Sequence, residues 1–178
     1  RADKAECEAL FRDLLINVTR FFRDAELFEL LRERAIEPLL RGRDPDEDIR
    51  VWIPGCSSGE EAYSIAMLFA DAARSLGQVP AVQIFATDID ERMLQIAREA
   101  SYPAAALADI PAPLRERYVI PHAERFTIAA EIRDLIRFSS HSLVKDPPFS
   151  RVDLLSCRNL LIYLDERLQQ SVVPLFHY

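Results

Sequence analysis

The segment Asp48-Ile49-Arg50-Val51-Trp52-Ile53-Pro54-Gly55-Cys56-Ser57-Ser58-Gly59-Glu60-Glu61, continued by Ala62-Tyr63-Ser64-Ile65-Ala66-Met67-Leu68-Phe69-Ala70-Asp71-Ala72-Ala73, joins a short apolar run, a small-residue turn and a long stretch of helical periodicity. It reads as a strand, a tight loop and a helix. Ile49, Val51 and Ile53 are β-branched at period two and Trp52 fills the other face, the pattern of a strand covered on both sides. Pro54 ends the pairing. Gly55 and Gly59 bracket Cys56, Ser57 and Ser58, so the backbone can turn sharply and a ligand can approach without meeting a Cβ. From Glu60 onward, Ala62, Ile65, Ala66, Phe69, Ala70 and Ala73 recur at spacings of three and four and predict one apolar face. Ser57 or Ser58 is expected to cap this helix, and Glu60 and Glu61 suit its positive end.

The charges at the turn select the ligand. A phosphate cradle calls for a Lys or bare amides at the helix start, whereas here two carboxylates stand there. The glycine spacing is neither GxGxxG nor GxxxxGK[ST]. Carboxylates repel a pyrophosphate and attract positive charge and hydroxyl or amine donors. S-adenosylmethionine, with a sulfonium, an α-amino group and a ribose but no phosphate, fits best.

Val82-Gln83-Ile84-Phe85-Ala86-Thr87 predicts a second strand, ending in Asp88-Ile89-Asp90. In a doubly wound sheet an acid at the end of the second strand reaches the ribose hydroxyls; Asp88 takes that role and Asp90 caps the next helix. Residues 152–157 predict a later buried strand, followed at once by Arg158 and Asn159, again at a carboxyl edge. The runs 118–120, 125–128 and 135–138 are short and β-prone, and the first two suggest an antiparallel hairpin. The fold class is therefore α/β: a Rossmann-like, doubly wound, mostly parallel sheet with a helical preface over residues 1–47 and an S-adenosylmethionine-binding domain over 48–178, carrying a small β insertion at about 117–138. Within the preface, residues 2–16 predict an amphipathic helix, and Asp24 is expected to cap a second one running through Phe28, Leu31 and Ile36. Asn17, Thr19 and Arg23 crowd beside Phe21 and Phe22; Arg23 either pairs with a local acid or belongs to a site.

Composition bounds the rest. The chain has 178 residues, of which 49% are hydrophobic, enough for a core. With 29 acidic against 22 basic residues its net charge is −7, which speaks against general nucleic-acid or acidic-membrane binding. No apolar run reaches the ~18 residues of a membrane span and no signal-peptide core is present, so a cytoplasmic protein is expected. Cys7, Cys56 and Cys157 match neither a disulfide framework nor a zinc site, and no metal is expected. If the first strand is central, Cys56 and Cys157 end neighbouring strands as reduced thiols.

Five ordered motifs make a family resemblance specific: Asn17-Val18-Thr19-Arg20-Phe21-Phe22-Arg23, then residues 55–67, 85–90, 138–148 and 152–165. The chain resembles the bacterial chemotaxis receptor methyltransferases, the CheR family, which transfer methyl groups from S-adenosylmethionine to chemoreceptor glutamates. The resemblance implies that Asn17, Thr19, Arg23, Glu60, Asp88, Arg158 and Asn159 contact the cofactor, and the turn from Gly55 to Glu60 is expected to bind its amino-acid end. It also implies that Arg23 and Tyr163 lie near the transferred methyl, that S-adenosylhomocysteine is the product, and that the cytoplasmic helices of a chemoreceptor are the partner. Ser142-Leu143 stands where the family often has Asn-Leu on the adenine side, and His141 beside it is taken as structural. The chain stops before the last hairpin strands of the family, so either that sheet edge is exposed or a neighbouring domain or a second copy is expected to cover it. Two alternatives remain: an S-adenosylmethionine-binding regulatory or scaffolding domain without turnover, and a methyltransferase with another acceptor.

Overall fold

The computed structural model describes residues 19–43, 47–79 and 81–177. Asn17, Cys7 and the helix expected over residues 2–16 lie outside them. Strands β1 (Ile49–Pro54), β2 (Val82–Asp88), β6 (Ile136–Ser140) and β7 (Leu154–Leu155) form a parallel sheet in the order β6-β2-β1-β7. The first strand is central because Ile49, Val51, Trp52 and Ile53 are all buried, so both its faces need cover. Register sets Pro54 beside Thr87 and Asp88 beside Ser140. The carboxyl ends of the parallel strands thus come out along one edge, where open α/β sheets bind ligands.

Helix α3 (Glu60–Ser75) follows β1. Every residue from Ala62 to Ala73 is buried, not the single face expected, because the sheet covers one side and the preface and insertion cover the other. Its alanines and serine allow that close approach all round. The preface consists of α1 (Ala25–Leu31), a π-helical turn Arg32–Ile36 and α2 (Glu37–Gly42). Phe21, Phe22, Phe28, Ile36 and Leu40 belong to the same core as the sheet. Asp71, a buried acid in the middle of α3, accepts hydrogen bonds from Arg32 of the π turn (3.0 Å) and from Arg117 of α5 (Ala112–Tyr118). One carboxylate thus ties three elements.

After α4 (Glu91–Glu99), the small antiparallel sheet runs in the order β3-β5-β4, from β3 (Ser101–Pro103), β4 (Val119–Pro121) and β5 (Arg125–Ile128). The expected hairpin is present, but the insertion needs correcting at both ends. It gains a strand at residue 101, and the third β-prone run is β6 of the parallel sheet, reached through the short helix α6 (Ala130–Arg133). Phe21 meets Tyr102 edge to face (4.9 Å between centroids) and approaches Phe126, pinning the preface to this small sheet. The strand expected over 152–157 is paired only at Leu154–Leu155. It leads through a 3₁₀ turn (Leu161–Tyr163) to α7 (Glu166–Val172). No described helix is long and apolar enough to cross a membrane.

Candidate cofactor and acceptor site

The turn between β1 and α3 is held by its own backbone. Cys56 N–H donates to the Thr87 carbonyl (3.0 Å), Gly59 N–H to the Cys56 carbonyl (2.9 Å) and Ser57 N–H to Asp88 Oδ2 (2.7 Å). Gly55, Ser57 and Gly59 all have positive φ. Gly59 is the N-cap and no side chain caps α3, so the serine caps expected above are absent. Ser58 Oγ instead donates to Glu60 Oε2 (2.8 Å). A side chain at either glycine would meet protein. A Cβ on Gly55 would meet the Leu160 side chain at 3.0 Å, and one on Gly59 would meet Ala97 Cβ at 2.9 Å.

A cavity of about 330 Å³ opens over the carboxyl edge, at the low end of the range for small-molecule sites. Of the residues singled out from the sequence, Thr19, Arg23, Gly55, Asp88, Ser142, Leu143, Arg158, Asn159 and Tyr163 line it. Arg23 and Tyr163, 140 positions apart in the chain, both line it. Tyr163 sits on the Leu161–Tyr163 turn, whose position α7 fixes: Gln169 donates to the carbonyls of Leu161 (2.9 Å) and Leu164 (3.0 Å).

Glu60 does not line the cavity; Glu61 does. Adjacent residues point ~100° apart on a helix, and the pair Glu60-Glu61 carries no local signal to say which carboxylate faces inward. Glu61 Oε1 accepts from Ser156 Oγ at the end of β7 (2.6 Å). Burial pushes the Glu61 carboxyl above its ordinary value, opposed by the Ser156 hydrogen bond and by the guanidiniums of Arg158 and Arg23. Burial pushes Glu60 up as well, against its bond from Ser58. Asp88 does double work: Oδ2 takes Ser57 N–H, and Oδ1 takes Asp90 N–H (2.9 Å). Each oxygen keeps a further lone pair for a ligand hydroxyl. Asp90 accepts from Arg92 N–H and caps α4, as expected.

Arg158 leaves β7 toward the preface. Its Nη2 donates to the Arg23 carbonyl and to Asp24 Oδ2, both at 2.7 Å, and its guanidinium lies 5.1 Å from the Phe28 ring centroid. Asp24 stands at the N-cap of α1 as expected, but with φ 62 its side chain makes no capping hydrogen bond. Cys56 and Cys157 follow the neighbouring strands β1 and β7 as free thiols. Burial raises both, Cys157 to about 11, so neither is a thiolate near neutrality.

The cavity lining carries both signs of charge: Glu61 of α3 and Asp88 at the end of β2, with Arg20 and Arg23 from the preface and Arg158 from the β7 end. Exposed Ile89, Val144, Ile162 and Tyr163 form the lip. Among the described residues three buried side-chain atoms have no hydrogen-bond partner, and two of them, Ser57 Oγ and His141 Nδ1, belong to cavity residues. His141, taken as structural from the sequence, therefore also belongs to the lining. Buried polar atoms are rarely left unpaired, so polar ligand groups suit this lining. Two acids for cationic and hydroxyl groups, with no phosphate cradle, fit S-adenosylmethionine.

Fold and site together define an α/β protein that holds a phosphate-free nucleoside cofactor at the carboxyl edge of a parallel sheet. Residues 17–178 match the family described as CheR methyltransferase, SAM binding domain. The chain belongs to this CheR family, in its S-adenosylmethionine-binding part. It is 34% identical to chemotaxis protein methyltransferase 2 of Pseudomonas aeruginosa over 96% of this chain and 61% of that protein. It is also 34% identical to the chemotaxis protein methyltransferase of Salmonella typhimurium, over 98% of this chain and 59% of that one. An uncharacterized 104.1 kDa protein of Rhodobacter capsulatus is 41% identical over 99% of this chain, which spans 18% of that protein. The chain thus covers less than two thirds of each of these relatives.

Proposed function

We propose that the chain transfers methyl groups from S-adenosylmethionine to glutamate side chains on the cytoplasmic helices of a chemoreceptor. The observation that carries this reading is one cavity at the carboxyl edge that brings the acids Glu61 and Asp88 together with the guanidiniums of Arg23 and Arg158. Glu61 and Asp88 bind the cationic amino-acid end and the ribose, Thr19, Ser142, Leu143 and Asn159 complete the pocket, and Arg23 receives the acceptor carboxylate. The names of the Pseudomonas and Salmonella relatives support the chemotaxis setting.

When bound, S-adenosylmethionine supplies a methyl group that its sulfonium already activates. What the protein adds is orientation, worth up to ~7–11 kcal/mol when complete. Arg23 keeps the acceptor carboxylate ionised by favouring its charged form and holds one oxygen while the other faces the methyl. The Tyr163 hydroxyl, at the lip, donates to the same carboxylate. An ionised carboxylate needs no general base. The apolar lip of Ile89, Val144 and Ile162 excludes water once an acceptor lies across it.

The test is to incubate the protein with methyl-labelled S-adenosylmethionine and a soluble chemoreceptor cytoplasmic fragment, and then to measure methanol released by mild alkali, the signature of a carboxyl methyl ester. Release that is lost when the acceptor glutamates are changed to alanine is expected. Tight S-adenosylhomocysteine binding with no alkali-labile label would instead favour a cofactor-binding domain without turnover.

A further inference from the structure

The backbone around Arg23 is set in an unusual way. Phe22 has φ 45 and Asp24 has φ 62, so non-glycine residues in the sparsely populated left-handed region flank Arg23 on both sides. Such conformations persist only where the surroundings over-determine them, and they cluster at functional sites. One side is fixed by the core. Phe21 and Phe22 are buried, and Phe22 N–H donates to Ser64 Oγ of α3 (3.0 Å), which itself donates to the Glu60 carbonyl (2.7 Å). The other side is fixed by Arg158. A capping aspartate normally has extended backbone and turns its carboxylate onto the first amides of its helix. With φ 62, Asp24 turns away from α1 and its Oδ2 takes a hydrogen bond from Arg158. The same Arg158 Nη2 donates to the Arg23 carbonyl, and the guanidinium lies over the Phe28 ring.

We infer that Asp24 and Arg158 form a latch beside the cavity whose work is to position Arg23 for the acceptor carboxylate, which makes Asp24 a positioning residue for methyl transfer. The inference rests on the function proposed above. Arg158 has charge on both sides of it: Asp24 on the outer side and Glu61, whose carboxyl it stabilises in the charged form, on the inner. Without Asp24, the guanidinium loses its outer partner and is no longer held against the preface. The Arg23 carbonyl then loses its donor and the strained turn relaxes. As a bond for stability the latch is weak, because the Asp24 side chain is 55% exposed and exposed pairs contribute little. Its effect is therefore expected in turnover and not in folding.

The experiment compares Asp24→Ala and Asp24→Asn with the parent chain, and Arg23→Ala with Arg23→Ala/Asp24→Ala, using the chemoreceptor fragment as acceptor. The expected pattern has several parts. Asp24→Ala lowers kcat about tenfold while the Kd for S-adenosylhomocysteine and the melting temperature stay close to the parent's. Asp24→Asn, which keeps an acceptor oxygen, recovers most of that loss. Without Arg23, Asp24→Ala changes kcat less than about twofold, the non-additivity of residues that act through one another. Unchanged kcat in Asp24→Ala, or a full additional loss in the Arg23→Ala background, would overturn the latch. If the parent chain transfers no methyl group, the proposed function fails on its own. The latch is then still decided by ¹⁵N relaxation of the Arg23 Nε–H: it is rigid in the parent chain and mobile in Asp24→Ala if the latch holds Arg23, and equally rigid in both if it does not.

Discussion

Glu60 and Glu61 are neighbours of the same residue type, yet only Glu61 lines the cavity. Burial raises the Glu61 carboxyl above its reference value of 4.5, so near and above that pH the folded protein holds a proton more tightly than the unfolded chain. Stability must then fall as pH rises from about 4.5 through the raised value, and stay lowered above it. Glu61→Gln keeps an oxygen for the Ser156 hydroxyl and removes the buried charge. The cofactor-free variant should melt higher than the parent at neutral pH, by about 2–4 °C for each kcal/mol recovered, with a flatter pH dependence above 4.5. Equal melting temperatures in calorimetry would mean that Glu61 carries no desolvation penalty. The choice between these two acids is where sequence ran out. Residue types announced two carboxylates at a helix start, but the inward one depends on the phase of α3, which packing sets. The same holds for Asp24, whose residue type suggests a cap while its backbone angle makes it a partner of Arg158.

The strand, turn and helix at residues 49–75 were legible because β-branched alternation, a glycine-bracketed turn and a helical period are all local signals. The edge strand β6 was not. Leu135-Ile136-Arg137-Phe138 is β-prone, but its partner β2 lies some fifty residues away, and nothing local separates a hairpin strand from a parallel one. The roles of the glycines were hidden for a similar reason, since the atoms that exclude a side chain belong to Leu160 and Ala97. Gly59→Ala would set a Cβ 2.9 Å from Ala97 Cβ at φ 94. It should destabilise the protein by ~1–3 kcal/mol, the cost of one residue held in a disfavoured backbone region. Gly59→Ala combined with Ala97→Gly should recover only the part due to the clash. Full recovery in thermal melts would show that backbone strain contributes nothing.

At the scale of the molecule, the acids of the cavity come from the sheet edge and two of its arginines from the preface, so the site depends on how these parts are fastened. Two fastenings do this: Phe21 against Tyr102 and Phe126, and Asp71 between Arg32 and Arg117. Asp71→Ala leaves two arginines without their shared acceptor and should cost about 1–3 kcal/mol, the range for an unmet hydrogen-bonding group, read as a lower urea midpoint with an unchanged slope. A change in slope would mean that the preface melts separately from the sheet. The sequence made the existence of this junction legible through its aromatic pair, while the buried Asp71 passed as one more polar residue in a helix. The role of the cavity's acids is tested most directly by the affinity for S-adenosylhomocysteine, titrated calorimetrically in Glu61→Gln beside Glu60→Gln. Loss of a charge-assisted hydrogen bond predicts at least about tenfold weaker binding in Glu61→Gln and a change within about twofold in Glu60→Gln. Weaker binding in Glu60→Gln with Glu61→Gln unaffected would contradict the assignment of the cofactor to the acids of this cavity.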